Sequence, residues 1–502
     1  MQHRKPSSPI LLALFSAAAA SGTVCAADAL TIYSSAQPGT VSPEQYRPGS
    51  GAAVPGYAMV RHERDLQLNA GRNKVRFSDV AAQIDPTTVS FESLTDPDGT
   101  RVVEQNYQFD LVSAQRLLEK YVDHEISVEQ IRGNTTETFT GTLASTSGGL
   151  ILRGADGSAR IVNNYAGVKL PSIPGGLITK PTLVWDIAAQ KAGTHKSRVA
   201  YQTSGITWWA DYNLTYSEGR DANSCKLDVN AWVSILNQSG ANYSDAKLKL
   251  IAGDVQRAAR GRVAPAPEAR LMAKAMEAPA GFEEKAFFEY HLYTLGFPTT
   301  LPDNSTKQLE LFPAAHNVAC QKNLVYFGQA QPFYGYGSPM TDRNFGVQGN
   351  TKVDVYLSFK NARDNQMGMP LPAGRVRVSK LDEADKTLEF IGEDVINHTP
   401  KDERVLVKMG SAFDVVAERR QVDFRLDTTG KVMEETIEVK LRNRKEEPVT
   451  VLVREHLYRW STWTVTSKNQ DFEKIDARTI QFPVKLAKGA EGLVRYTVRY
   501  TW

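Results

Sequence analysis

The sequence predicts an all-β chain of several antiparallel β-sandwiches, immunoglobulin-like or fibronectin-like, with a small SH3-like barrel and one short helix. Three observations carry this. Apolar and polar residues alternate in run after run, as in TSGITWWADYNL at 203–214. There Ile206, Trp208, Ala210, Tyr212 and Leu214 share one face, and Thr207, Trp209, Asp211 and Asn213 share the other. Turn residues recur about every ten positions, the spacing of a sandwich. Only SAQRLLEKYV, 113–122, has helical spacing, with Leu117, Leu118 and Tyr121 on one side.

Taken in order, residues 1–26 read as a secretory signal peptide. Arg4 and Lys5 start it, Ile10 to Ala20 is its short apolar part, and Val24 and Ala26 suit cleavage before Ala27. Cys25 follows Val24 rather than a small residue, which argues against lipidation. Cleavage would leave 476 of 502 residues and, by removing Arg4 and Lys5, lower the net charge from +3 to +1. A near-neutral chain lacks the electrostatic footprint of a nucleic-acid binder. No later stretch approaches the 18 apolar residues of a spanning helix.

Residues 27–56, rich in Pro, Gly, Ser and Ala, read as a flexible leader, and 57–120 as a small N-terminal β domain closed by the helix. Residues 121–175 carry closely spaced runs with glycines at the corners (Gly133, Gly148-Gly149, Gly157), which predicts the small SH3-like barrel. A sandwich is expected over 176–255, a flexible linker over 256–283, and the sandwich's continuation over 284–415. A C-terminal immunoglobulin-like sandwich then fills 416–502. No internal repeat is legible.

Two cysteines remain after cleavage, Cys225 and Cys320, and in an oxidising compartment a disulfide between them is the expected outcome. It would close a loop of 95 residues.

Several phrases stand in a fixed series: YQTSGITWWADYNL, WVSILNQSG, LIAGDV, PLPAGRVRV and FIGEDVINHTPKDERVLVKMGSAFDV. Together they resemble a bacterial family, the domain of unknown function 4139, which includes mucoidy-inhibitor-like exported proteins; the resemblance covers residues 57–502. It implies an exported bacterial β-protein, with a link to cell-surface polysaccharide, and supplies no catalytic residues. It also implies that Trp208 and Tyr212 are recurrent positions, and these two anchor the core. Trp209, on the polar face, then either covers a neighbouring segment or offers a stacking platform.

No catalytic template is found. None of the seven histidines beyond residue 26 lies three or four positions from another, and HExxH, a Walker loop, a dinucleotide fingerprint and a serine elbow are all missing. Glu393 and Asp394 are adjacent, so a strand sends them to opposite sides. VYFGQAQPFYGYGSPM, 325–340, reads as a loop whose Tyr326, Phe327, Phe333, Tyr334 and Tyr336 stand ready to stack on sugar or dock a protein.

The expectation is a non-catalytic interaction or scaffold protein of the periplasm or envelope of a Gram-negative bacterium. It would take envelope proteins or polysaccharide as partners, without a cofactor or metal. Two alternatives stand beside it. One is a glycan-acting hydrolase with a site of scattered acids. The other is an outer-membrane β-barrel, suggested by Val494, Tyr496, Val498, Tyr500 and Trp502 in alternation at the end.

Overall fold

Period-two runs commit one side of each strand to burial, and in this chain most such sides find a partner sheet. The computed structural model describes residues 27–33, 53–108, 113–133, 135–172, 178, 180–253, 255, 282–329 and 337–502. Over these residues the protein is all-β, with several mostly antiparallel open sheets and one short α-helix. The helix, Ala114–Lys120, is capped by Ser113 and buries Leu118.

The first sheet joins segments far apart in sequence. Tyr57–Leu68 lies between Ala27–Tyr33 and Gly193–Ser204, and Ala27–Tyr33 in turn runs parallel to Tyr243–Ala252. Residues 27–33, expected within a loose leader, are therefore an interior strand with Leu30 and Ile32 fully buried. The rest of that leader's span to residue 52 lies outside the described residues. The expected domain 57–120 does not stand alone either, because Gly71–Ser78 and Thr100–Gln108 both pair with Thr182–Ala189. Backbone groups of a strand must be paired by whichever strand arrives, near or far in sequence.

The expected SH3-like barrel is corrected to an open sheet. Gly167–Lys169, Glu125–Arg132, Thr135–Ser145, Leu150–Arg153 and Ala159–Val162 follow one another without closure. Their core is small, with Ile126, Val128, Leu143 and Leu152 packed with Leu118 of the helix and Tyr121 just after it.

The largest sheet carries two cores in succession. Ser305–Phe327, 23 residues long, pairs with Ser224–Asn237 up to Gln321, then with Val449–His456 from Leu324. Cys225 and Cys320 face each other near the end of the first ladder and form the disulfide. Arg404–Asp427 likewise runs through the boundary expected at 415/416, contributing Val405 and Val407 to the first core and Val415 and Ala417 to the second. Continuous alternation without a turn residue gives no sign that the buried partner has changed.

Trp208 and Tyr212 lie in the first core, and Val494, Tyr496, Val498 and Tyr500 in the second. The barrel alternative required those last four to face outward. They face inward, and among the described residues no sheet closes into a barrel. Among the described residues no helix is long and apolar enough to cross a membrane. Phe282–Phe287 is a strand, so residues 282 and 283 depart from the expected linker; 256–281 lie outside the described residues.

Three buried asparagines do the same work at three strand ends. Asn237 donates to Ala241, Leu301 and Pro302 carbonyls, Asn361 to Met369 and Pro400, and Asn443 to Glu447 and Ala487. In each case the side-chain oxygen also receives a nearby backbone N–H. An amide can satisfy several loop groups at once, which a hydroxyl or carboxylate cannot do alike.

Candidate functional site

The stretch expected as an aromatic loop begins as strand. Tyr326 points into the second core, fully buried, and its hydroxyl donates to Asn350 O at 2.5 Å. Burial raises the Tyr326 pKa, Glu455 adds to the rise and Arg419 opposes it. Phe327, the next residue, points the other way and stays 37 % exposed. The reading of both as loop residues is corrected: strand pairing with Val453 and Arg454 carries through Phe327. Phe333, Tyr334 and Tyr336 lie outside the described residues.

After Phe327 the chain leaves the sheet and returns, with Gln329 bridging Gly349. Gly328 has no room for a side chain, since a Cβ there would run into the Glu455 carboxylate. The return segment is held by two buried ion pairs. Arg419 Nε lies 2.9 Å from Glu455 Oε2, and its Nη1 donates to Gly346 O at 3.1 Å.

Arg459 Nε lies 2.8 Å from Glu435 Oε2. Its Nη1 donates to Met340 O and Asp342 O, and its Nη2 to Arg343 O, Phe345 O and the Gln421 amide oxygen. Tyr496 and Tyr500 complete the carboxylates, donating to Glu455 Oε2 at 2.7 Å and Glu435 Oε1 at 3.1 Å. Burial holds both phenols far above their ordinary pKa. Each carboxylate is thus met by an arginine and a tyrosine inside the core.

Sequence reading missed this network, although a signal was present. Glu455 follows Val449, Val451 and Val453 in the inward phase, and Glu435 sits between Met433 and Ile437 in the same phase. Arg419 continues Val415 and Ala417. Charges of opposite sign at inward positions around one core mark a buried pair. A smaller analogue occupies the first core, where His62 Nδ1 lies 2.5 Å from Asp28 Oδ1 and Nε2 lies 3.0 Å from the Tyr201 hydroxyl.

Beside the loop root, on the outer face of the long strand, is a shallow cleft of about 170 Å³. Cross-strand pairing builds it: Asn323 faces Tyr356, Val325 faces Leu452, and Phe327 faces Arg454. Leu406 forms its rim. The Arg454 guanidinium lies 5.7 Å from the Phe327 ring centre, and its Nε donates to Gln481 Oε1 at 2.7 Å. The Asn323 amide makes no hydrogen bond among the described residues. The cleft thus offers an aromatic floor with unspent polar groups at its edge.

Trp209 does not line this cleft; it stands opposite Ser234 on the strand that carries Trp208 and is half-buried. Among the described residues no group of three or more His, Cys, Asp or Glu could hold a metal ion. No family model matches the chain, and neither a curated protein nor a solved structure matches it.

Proposed function

We propose that the protein is an exported, non-catalytic component of a bacterial envelope that binds polysaccharide through the Phe327–Tyr356–Arg454 cleft. The two cores are read as immunoglobulin-like sandwiches whose junction presents that cleft. One observation carries the proposal: Arg459 commits its guanidinium to four loop carbonyls beside an exposed aromatic floor. Fixing a loop root with buried charge lowers the entropy cost of binding at its flank. Sugar rings present an apolar face that stacks on aromatic side chains, and their hydroxyls suit an amide and a guanidinium. The disulfide fits an oxidising compartment. The family resemblance of the phrases from 57 to 502 fits an envelope setting.

The test is affinity electrophoresis in gels cast with envelope polysaccharide, with cross-linking from a photoreactive residue at position 327. Retardation of the native protein, lost in the Phe327→Ala, Tyr356→Ala double variant, supports the reading. Unchanged retardation in that variant, or cross-links to protein alone, overturns it.

A further inference from the structure

A second opening lies at the junction of the two cores, on the other face of the long strand. The turn after Ile206–Glu218 and the loop before Val449–His456 wall a notch of about 150 Å³. Tyr216, Glu218, Arg220, Asp221, Lys322 and Glu447 face it. The disulfide fastens this wall: Cys320 precedes Lys322 by two residues, Cys225 stands in the strand just after the turn, and Lys322 N donates to Asn223 O at 2.8 Å. We propose that the notch binds one small monocarboxylate, received by Lys322.

Charge bookkeeping over the notch lining and the lysines paired with it leads there. Glu218 is taken by Lys380 at 2.7 Å, and Glu447 lies 3.8 Å from Lys445 Nζ. Asp221 receives the Asn223 N–H at 2.9 Å, closing its own turn. Lys322 and Arg220 form no ion pair among the described residues. With Lys380 and Lys445, which stand behind the notch as partners of its acids, four cations meet three carboxylates, leaving a surplus of one positive charge around Lys322.

A dianion such as phosphate would meet three acidic neighbours with more charge than the surplus offsets. A single carboxylate matches it. Burial lowers the Lys322 pKa, with Lys445 contributing in the same direction, so the ammonium gains more from an incoming anion than a solvated lysine would. This inference stands on the notch alone and is independent of the polysaccharide cleft.

The test is lysine acylation footprinting of the full mature chain by mass spectrometry, with acetate, glucuronate, phosphate or glucose as probe. Acetate or glucuronate slows acylation at Lys322 selectively, roughly threefold once the probe stands at about twice its Kd. Glucose leaves the rate unchanged, and phosphate protects less than acetate. Protection by glucuronate beyond that by acetate adds recognition of the sugar that carries the carboxylate, and equal protection restricts recognition to the carboxylate itself. Equilibrium dialysis gives the second reading: Lys322→Gln loses carboxylate binding, Lys322→Arg retains it, and Glu447→Gln tightens it. The proposal is overturned if Lys322 is not protected, if all lysines slow alike, if phosphate protects as well as acetate, or if Lys322→Gln still binds.

Discussion

Arg459 and Glu435 form a buried ion pair, with side chains 0 % and 2 % exposed and Nε 2.8 Å from Oε2. Removing two charges from water costs several kcal/mol each, so such a pair is worth little against an apolar replacement of the same shape. Removing one partner alone is another matter. Arg459→Met strands the Glu435 carboxylate and four loop carbonyls. It should lower unfolding free energy by about 3–5 kcal/mol, measured as a fall in the urea midpoint of the second core. A loss below about 1 kcal/mol would mean that water reaches the site.

Alkaline pH should unfold the chain through its tyrosines. Burial raises the pKa of Tyr201, Tyr212, Tyr496 and Tyr500 well above the ordinary value of 10. The folded state therefore holds protons that the unfolded state releases. Stability is fully present below about pH 10 and falls as pH rises, by up to about 5 kcal/mol per pH unit for four such groups. Absorbance at 295 nm should show these phenols ionising together with the loss of circular dichroism. Gradual ionisation of all tyrosines in a folded chain would contradict this.

The disulfide closes a loop of 95 residues. Chain entropy sets its contribution at about 4.7 kcal/mol at most. A Cys225→Ala, Cys320→Ala variant should unfold at lower denaturant, and its first change should be faster exchange of the Gly219 and Lys322 amides, which bond across the turn. Wild-type midpoints in that variant would place the junction's rigidity elsewhere.

The three loop-locking asparagines should be equally intolerant. Asn443→Asp keeps the oxygen that receives Lys445 N–H but loses donation to Glu447 and Ala487. A loss of about 2–3 kcal/mol is expected, since two buried acceptors are left unmet and a charge is introduced. Asn361→Asp should behave alike, measured by thermal melts.

Much of this architecture was legible because burial follows parity. Trp208 and Tyr212 declared the inner face of their strand, and Cys225 and Cys320 found each other across adjacent strands. Three things escaped, each for a physical reason. Residues 27–33 sit between an apolar stretch that reads as a leader and a Pro- and Gly-rich stretch, and only the distant Lys247–Ile251 segment reveals their ladder. The 415/416 boundary failed because one strand serves two cores without breaking step. Arg419, Glu435, Arg459 and Glu455 look like surface charges until their inward phase and opposite signs are read together. The cleft, built from Phe327, Tyr356 and Arg454 of three separate strands, has no linear signature.

Hydrogen exchange over 340–350 tests most directly whether buried charge fixes the loop root. Met340, Phe345 and Asn350 amides are bonded there, to Arg459, Asp342 and Gly328 carbonyls. In the native protein these amides should exchange far more slowly than free peptide, and Arg459→Met should speed them at least about tenfold while leaving Leu248 and Leu250 unchanged. Free-peptide rates in the native protein, or equal rates in both proteins, would contradict the account.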